Sequence, residues 1–278
     1  MIVDILLSTY NSGDYLKELL ESLIAQSFTD WRLLVRDDGS VDNTFLILNN
    51  FRVKNSSKIT IIDEPKQNLG PKRSFEKLLE YSSAEYIMFC DHDDYWLPDK
   101  ILDTLTLIRE LEKQYPNKPA LVFSDLRVVD EYLQEIHSSF WKYLKISPDN
   151  IFNTYKLLIN NPAPGCTVII NKKAKELVLP FPEQARMHDW WIVLKVAESG
   201  VINYLNKTTI LYRQHKKNEI GTEAEAIKHT SLLSHIANIS HTIKRNKESL
   251  EMMKCLSKDY SLLKLFYYKL RISLSKFR

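Results

Sequence analysis

Four short apolar runs open the chain, and each ends in a polar cluster. Ile2–Leu7, Trp31–Val35, Lys58–Ile62 and Tyr86–Cys90 read as strands. Between them lie segments of helical spacing: Tyr15–Ala25, with Leu16, Leu19, Leu20, Leu23 and Ile24 on one stripe, then Thr44–Phe51 and Ser74–Tyr81. Strand–helix alternation with short loops predicts an α/β chain with a mostly parallel central sheet and helices on both faces. In such sheets ligands sit outside the carboxyl ends of the strands. The polar clusters all fall at that end: Ser8-Thr9-Tyr10-Asn11, Arg36-Asp37-Asp38-Gly39-Ser40, Asp63-Glu64 followed by Asn68-Leu69-Gly70, and Asp91-His92-Asp93-Asp94. Helix capping accounts for Asp42 and Ser40. It does not account for paired Asp37 and Asp38, or for three acids at one strand exit.

The remaining chain is less regular. Ala120–Val129 reads as a strand, with Asp125 near its end, and residues 138–160 are aromatic and polar without a clear period. Thr167–Ile170 is a strand entered through Asn161-Pro-Ala-Pro-Gly165, and Met187–Ala197 is a helix. Val201–Leu205 and Thr208–Tyr212 read as two short strands, and the pattern is helical from Glu223 onward. Three cysteines, widely spaced and odd in number, make no disulfide framework and suggest a reducing compartment. The N-terminus lacks a basic leader, and no run approaches the roughly 18 apolar residues of a spanning helix, so a cytoplasmic protein is expected.

Crowded carboxylates raise one another's pKa unless a cation neutralises them. Mg²⁺ or Mn²⁺ takes one or two carboxylates together with substrate phosphates. On an extended segment, D-x-D spacing points Asp91 and Asp93 to the same side, which suits a nucleoside diphosphate. The chain has no CxxC for zinc, no GxxxxGK[ST] and no GxGxxG, so P-loop and dinucleotide-binding chemistry are excluded.

Seven ordered motifs resemble the family 2 inverting glycosyltransferases, whose nucleotide-diphospho-sugar transferase fold is called GT-A. They are STYNSGDYL (8–16), QSFTDWRLLVRDDGSVDNT (26–44), NLGPKRSFEKLL (68–79), YIMFCDHDDYWLPDK (86–100), NPAPGCTVIIN (161–171), MHDWW (187–191) and LYRQHKKNEIG (211–221). Their wording is similar to a bacterial rhamnosyltransferase-like subgroup that builds O-antigen, capsule and other cell-surface polysaccharides. The resemblance implies a GT-A domain over 1–221, with a nucleotide-sugar half (1–118) and an acceptor half (119–221), plus a C-terminal helical tail (222–278). It implies that Thr9, Tyr10 and Asn11 line the nucleotide pocket, Tyr10 stacking on the base. Asp38 would accept from the base, with Asp37 supporting the turn. Lys72 or Arg73, just after Gly70, would reach a base or phosphate edge.

Asp91 and His92 would meet the donor, and Asp93, with Asp91 and the late His215, the metal. Arg213 is a second candidate for diphosphate charge, and Asp94 either braces the loop or touches metal. Gly165, Cys166 and Thr167 would shape the acceptor pocket with His188, Trp190 and Trp191, one tryptophan being core and the other a sugar platform. The family's Glu-Asp pair is here His188-Asp189, which leaves Asp189 as general base or, alternatively, as a helix N-cap.

The implied reaction is non-processive, metal-dependent transfer of one sugar to a saccharide or lipid-linked saccharide, with dTDP-rhamnose as first donor and a UDP-hexose or UDP-N-acetylhexosamine as alternative. A metal-dependent phosphohydrolase and a non-catalytic nucleotide-sugar-binding protein are the rival classes. Residues 241–278 hold ten Lys or Arg against three acids, interleaved with apolar side chains. Such a basic amphipathic tail either lies on an anionic membrane surface, making the enzyme peripheral, or packs on the body or on a second copy in a homodimer. No nucleic-acid motif accompanies it.

Overall fold

The structure, a computed structural model, describes residues 1–64, 67–215 and 245–275. The expected helix between Glu223 and residue 244 lies outside the described residues. The order is β1 (Val3–Thr9), α1 (Leu16–Ile24), β2 (Trp31–Asp37), α2 (Thr44–Lys54), β3 (Ile59–Ile61), α3 (Gly70–Tyr81) and β4 (Tyr86–Cys90). Then follow β5 (Tyr95–Trp96), α4 (Lys100–Gln114), β6 (Ala120–Val129), β7 (Glu135–His137), α5 (Phe140–Tyr143), α6 (Thr154–Leu157), β8 (Ile169–Asn171), α7 (Lys172–Val178), α8 (His188–Ser199) and β9 (Val201–Arg213). Helix α9 spans 245–254, and α10 (Leu262–Ser275) is the last element described.

One sheet runs β3-β2-β1-β4-β8-β6-β9-β5, with β7 on the far side of β6. β1 pairs in parallel with both β2 and β4, and β6 with β9; β8, β5 and β7 run against their neighbours. The chain leaves β1 towards β2 on one side and returns as β4 on the other. That reversal opens a crevice at the strand ends. Its walls are set by register: Thr9 lies opposite Asp37, and Leu7 opposite Cys90.

Alternate strand residues feed two cores, as a pleated strand requires. Leu6, Leu34, Ile87 and Phe89 join Phe75, Leu78 and Leu79 of α3 and the aromatic face of α8. Ile5, Leu7, Val35, Met88 and Cys90 join α1 and α4 on the opposite face. Of the α1 stripe, Leu16, Leu19, Leu20 and Leu23 are buried, which is why that helix docks, while Ile24 at its end is exposed.

Several elements differ from expectation, and helices α4 and α7 and strands β5 and β7 carry no expectation from the sequence pattern. α3 begins at Gly70, not Ser74, because Pro71 is tolerated in a first turn, where no N–H is needed. The two strands expected after Val201 are one, and Asn206-Lys207 is an irregularity within it, opposite a register shift at Ser124/Asp125. Residues 138–160 do carry structure: Ser139 and Asn153 cap α5 and α6. Asp125 accepts from Ser139 Oγ and from the Phe140 and Trp141 N–H groups, so it anchors α5 beyond merely ending a strand.

The tail packs on the body. Met252, Met253, Leu256 and Leu265 are buried in the same cluster as Trp190 and Trp191, and Arg186 pairs with Glu248 at 3.1 Å. The outward side of α10 carries exposed Leu263, Phe266, Tyr267 and Leu270.

Candidate active site

The loops after β1 and β2 are stitched together by short polar side chains. Thr9 Oγ1 donates to Asp37 Oδ1 at 2.9 Å, and Asp37 also takes the Ser40 hydroxyl at 2.6 Å and its N–H at 3.1 Å. Asn11 adopts φ 48°, a left-handed turn that Asn tolerates, and its N–H donates to Ser40 Oγ at 2.9 Å. Val41 N–H returns a bond to Asn11 Oδ1 at 3.0 Å. Tyr10 is left 49% exposed on this rigid loop.

Asp38 does not stand ready for a base as expected. Its carboxylate pairs with Arg36 and accepts the N–H groups of Leu69 and Gly70, both at 2.8 Å. Arg36, buried and given no role by sequence reasoning, also reaches Ser74 Oγ at 2.7 Å and Gln67 O at 3.0 Å. Together they moor the 67–70 loop and the start of α3. Lys72 and Arg73 are likewise corrected. Lys72 Nζ donates to Glu183 O and Ala185 O at 2.9 and 3.1 Å, and Arg73 binds Glu76, Glu183 and Phe181 O. Both pin the 181–185 segment to α3, and neither is directed at a donor.

After β4 the acids lie in a turn, not on an extended strand, and Asp91 comes close to Asp94. Asp91, Asp94 and Cys166 each place a ligand atom within 4.8 Å of the others. Asp93 meets His215 Nε2 at 2.9 Å, which brings together the expected pair. Burial opposes ionisation of Asp93, but the hydrogen bond with His215 and the charge of His92 hold its pKa below the usual value. Asp94 is driven well above its usual value by burial and by the charges of Asp93 and Asp91. Burial, with the carboxylates of Asp94 and Asp91, pushes Cys166 well up and keeps it a thiol.

Lys100 lies under this turn with its ammonium over the Trp96 ring at 4.4 Å, and burial lowers its pKa to about 8. Arg213 is the second correction of charge. It is fully buried, stacks its guanidinium on Tyr15 at 4.5 Å, donates to Asp93 O at 2.9 Å and pairs with Glu18. It clamps the acid turn from behind and does not open towards a diphosphate.

Asp189 begins α8 and is partly exposed. Its Oδ1 takes the Trp190 N–H at 2.6 Å, and Oδ2 takes the Gly165 N–H at 3.2 Å and Asn161 Nδ2 at 3.4 Å. Burial raises its pKa to about 6 against these bonds and Arg186. Asn161, which sequence reasoning treated only as a strand entry, thus reaches the candidate base. Gly165 leaves room for the His188 ring, since a Cβ there would meet His188 Nε2 at 2.7 Å. His188 is buried, stacked on Phe75 at 4.0 Å, and pushed by burial down to about 3, so it is a neutral packing group. Thr167 Oγ1 closes the same turn onto Pro164 O at 2.7 Å.

The tryptophans are not divided as expected, because both are buried. Trp190 Nε1 donates to Leu157 O at 2.6 Å and Trp191 Nε1 to Val178 O at 2.9 Å, leaving neither as a sugar platform.

The family model "Glycosyl transferase family 2" matches residues 4–176. A dTDP-rhamnosyl transferase, RfbG of Shigella flexneri, is 26% identical over 226 residues, covering 77% of this chain and 73% of its own length. The solved S. aureus TarS 1–349 with UDP superposes with TM-score 0.58 at 21% identity, over 77% of this chain and 61% of that one. A mannosyltransferase, PcManGT of Pyrobaculum calidifontis, solved with GDP-Man and Mn²⁺, gives TM-score 0.61 at 14% identity over 99% of this chain and 80% of its own. The fold is therefore GT-A, and the chain spans about six-tenths of the TarS fragment.

Proposed function

This chain belongs to glycosyl transferase family 2, and from that premise we propose that it moves one sugar from a nucleoside diphosphate to a saccharide hydroxyl with inversion. The observation that carries this reading is Asp189: a partly exposed carboxylate at a helix start, oriented by the Gly165 and Trp190 N–H groups, with a pKa of about 6. Such a group is ionised at neutral pH yet basic enough to take a hydroxyl proton. The hydroxyl oxygen attacks the anomeric carbon opposite the departing diphosphate, so a single displacement inverts that centre. Charge developing on the sugar ring resembles that in glycoside hydrolysis.

On the donor side, the exposed Tyr10 ring suits stacking on a base, with the Thr9–Asp37–Ser40 network keeping its loop fixed. Asp91 and Asp93, with His215, would hold Mg²⁺ or Mn²⁺. The fit is supported by the crowding of carboxylates at this turn, where Asp94 lies within ligand reach of Asp91 and keeps one oxygen buried without a hydrogen-bond partner. When bound, the cation offsets charge on the diphosphate leaving group.

The rhamnosyl relative supports dTDP-rhamnose as donor; a UDP-hexose or UDP-N-acetylhexosamine is the alternative, and a growing cell-surface polysaccharide is the acceptor this reading takes. Among the described residues no helix is long and apolar enough to cross a membrane. The exposed face of α10, flanked by Lys264 and Arg271, supports peripheral contact with an anionic bilayer.

Calorimetry with dTDP, UDP and GDP, each with and without Mn²⁺, tests the donor side. One nucleotide should bind with Mn²⁺ and lose at least tenfold affinity in Asp93→Ala. Equal binding by wild type and variant rejects the metal assignment.

A further inference from the structure

Away from the strand ends, a second cavity of ≈ 380 Å³ opens between the segment before α6 and the tail. Phe152 and Tyr267 stand on its two lips, 65% and 54% exposed. Tyr155 and Tyr268 lie nearly parallel inside, at 13° with centroids 5.6 Å apart, and Tyr260 meets Tyr155 edge-on. The rings are held in place by their own hydroxyls and by the backbone. Asn153 Nδ2 donates to Tyr268 OH at 3.1 Å, and the Ser261 N–H donates to Tyr155 OH at 3.0 Å. Among the described residues Lys264 is the one charged side chain in the lining, and no carboxylate contributes.

We propose that this tyrosine-lined cavity is a saccharide subsite that holds the acceptor chain at a distance from the reacting hydroxyl. The inference rests on the reading of the chain as a transferase with a saccharide acceptor. A pyranose has an apolar C–H face and a rim of hydroxyls. Tyrosine offers the complement of both, a ring face and a polar tip, at little cost in side-chain freedom. The volume lies within the range of ligand sites of roughly 300–1,000 Å³.

The cavity is also tied to the candidate base by the chain itself. Six residues separate Tyr155 from Asn161, whose amide reaches Asp189, so their Cα atoms are at most about 20 Å apart. Trp190, next to Asp189, is hydrogen-bonded to Leu157 O of α6. A saccharide of several residues held in the cavity is long enough to cover that separation to the base.

The test is saturation-transfer NMR on the full chain with rhamnose, glucose and N-acetylglucosamine oligomers of one to six residues. Longer oligomers of at least one series should bind, and monosaccharides should bind at least fivefold more weakly. Phe152→Ala, outside α10, and Tyr267→Ala should each weaken binding at least fivefold with unchanged melting temperature. Asp93→Ala should leave oligomer binding intact, which separates this result from failure of the donor reading. The proposal is overturned if no oligomer binds, if monomers bind as well as hexamers, or if both lip variants bind like wild type. It is equally overturned if saturating nucleotide with Mn²⁺ displaces the oligomers, since they would then sit in the donor crevice.

Discussion

A carboxylate brought to about pH 6 by burial works as a base at neutrality and fails in mild acid. Its pKa is raised from 3.8, so the protonated, inactive form dominates as pH falls through 6. The transferase kcat/KM should be flat above pH 7 and drop about tenfold per unit below the pKa, a fall that a base near 4 would show only about two pH units lower. Asp189→Asn should keep nucleotide affinity in calorimetry and lose about 10²–10⁴-fold in transfer; near wild-type turnover would reassign the base. The type of each charged residue was readable from the sequence, but its partner was not. Asp37 turned up where its motif put it, while Asp38 and Arg213 were drawn inward by Arg36 and by Asp93 O and Glu18. Sequence cannot report that, because an acid facing a base edge and an acid facing a buried guanidinium are written with the same letter.

At the level of elements, polar residues closing apolar runs marked the strand ends, since a parallel strand buried on both faces must be apolar until it emerges. Two signals misled for physical reasons. Gly70-Pro71 reads as a break, yet it opens α3, with Gly70 at φ 73° and Pro71 in the first turn. The D-x-D rule assumed extended backbone, and the chain turns there instead, bringing Asp94 and Cys166 close to Asp91. Lys72 and Arg73 now belong to the union of α3 with the 181–185 segment, which leads into α8 and the base. Arg73→Ala should therefore lower stability by about 1 kcal/mol in urea unfolding and leave nucleotide affinity unchanged. A tenfold loss of affinity with unaltered stability would restore its donor role. Gly165→Ala should disturb this union more, because the new methyl meets the His188 ring and lies 3.3 Å from Asp189 Cβ. Transfer should fall well beyond any drop in nucleotide binding.

For the molecule as a whole, the open question in the sequence was whether the basic tail is an appendage. Its cations suggested a surface, but its apolar residues serve two faces. Met252, Met253, Leu256 and Leu265 enter the core beneath α8, while Leu263, Phe266 and Leu270 remain outside. Burying four such side chains contributes roughly 6–12 kcal/mol, an upper figure because an unfolded chain already hides some of that surface. Domains are stable by only about 5–15 kcal/mol in total. Deleting 245–278 should accordingly leave a chain without a cooperative thermal transition by circular dichroism, and with it no nucleotide binding. Met252→Ala should cost about 2–5 kcal/mol while the fold persists. A truncated chain that melts and binds nucleotide like the full one would show that the tail only decorates the domain. The outward face answers separately: Leu263→Asp with Phe266→Asp should abolish sedimentation with phosphatidylglycerol vesicles and leave the melting temperature within a few degrees, because neither side chain belongs to the core.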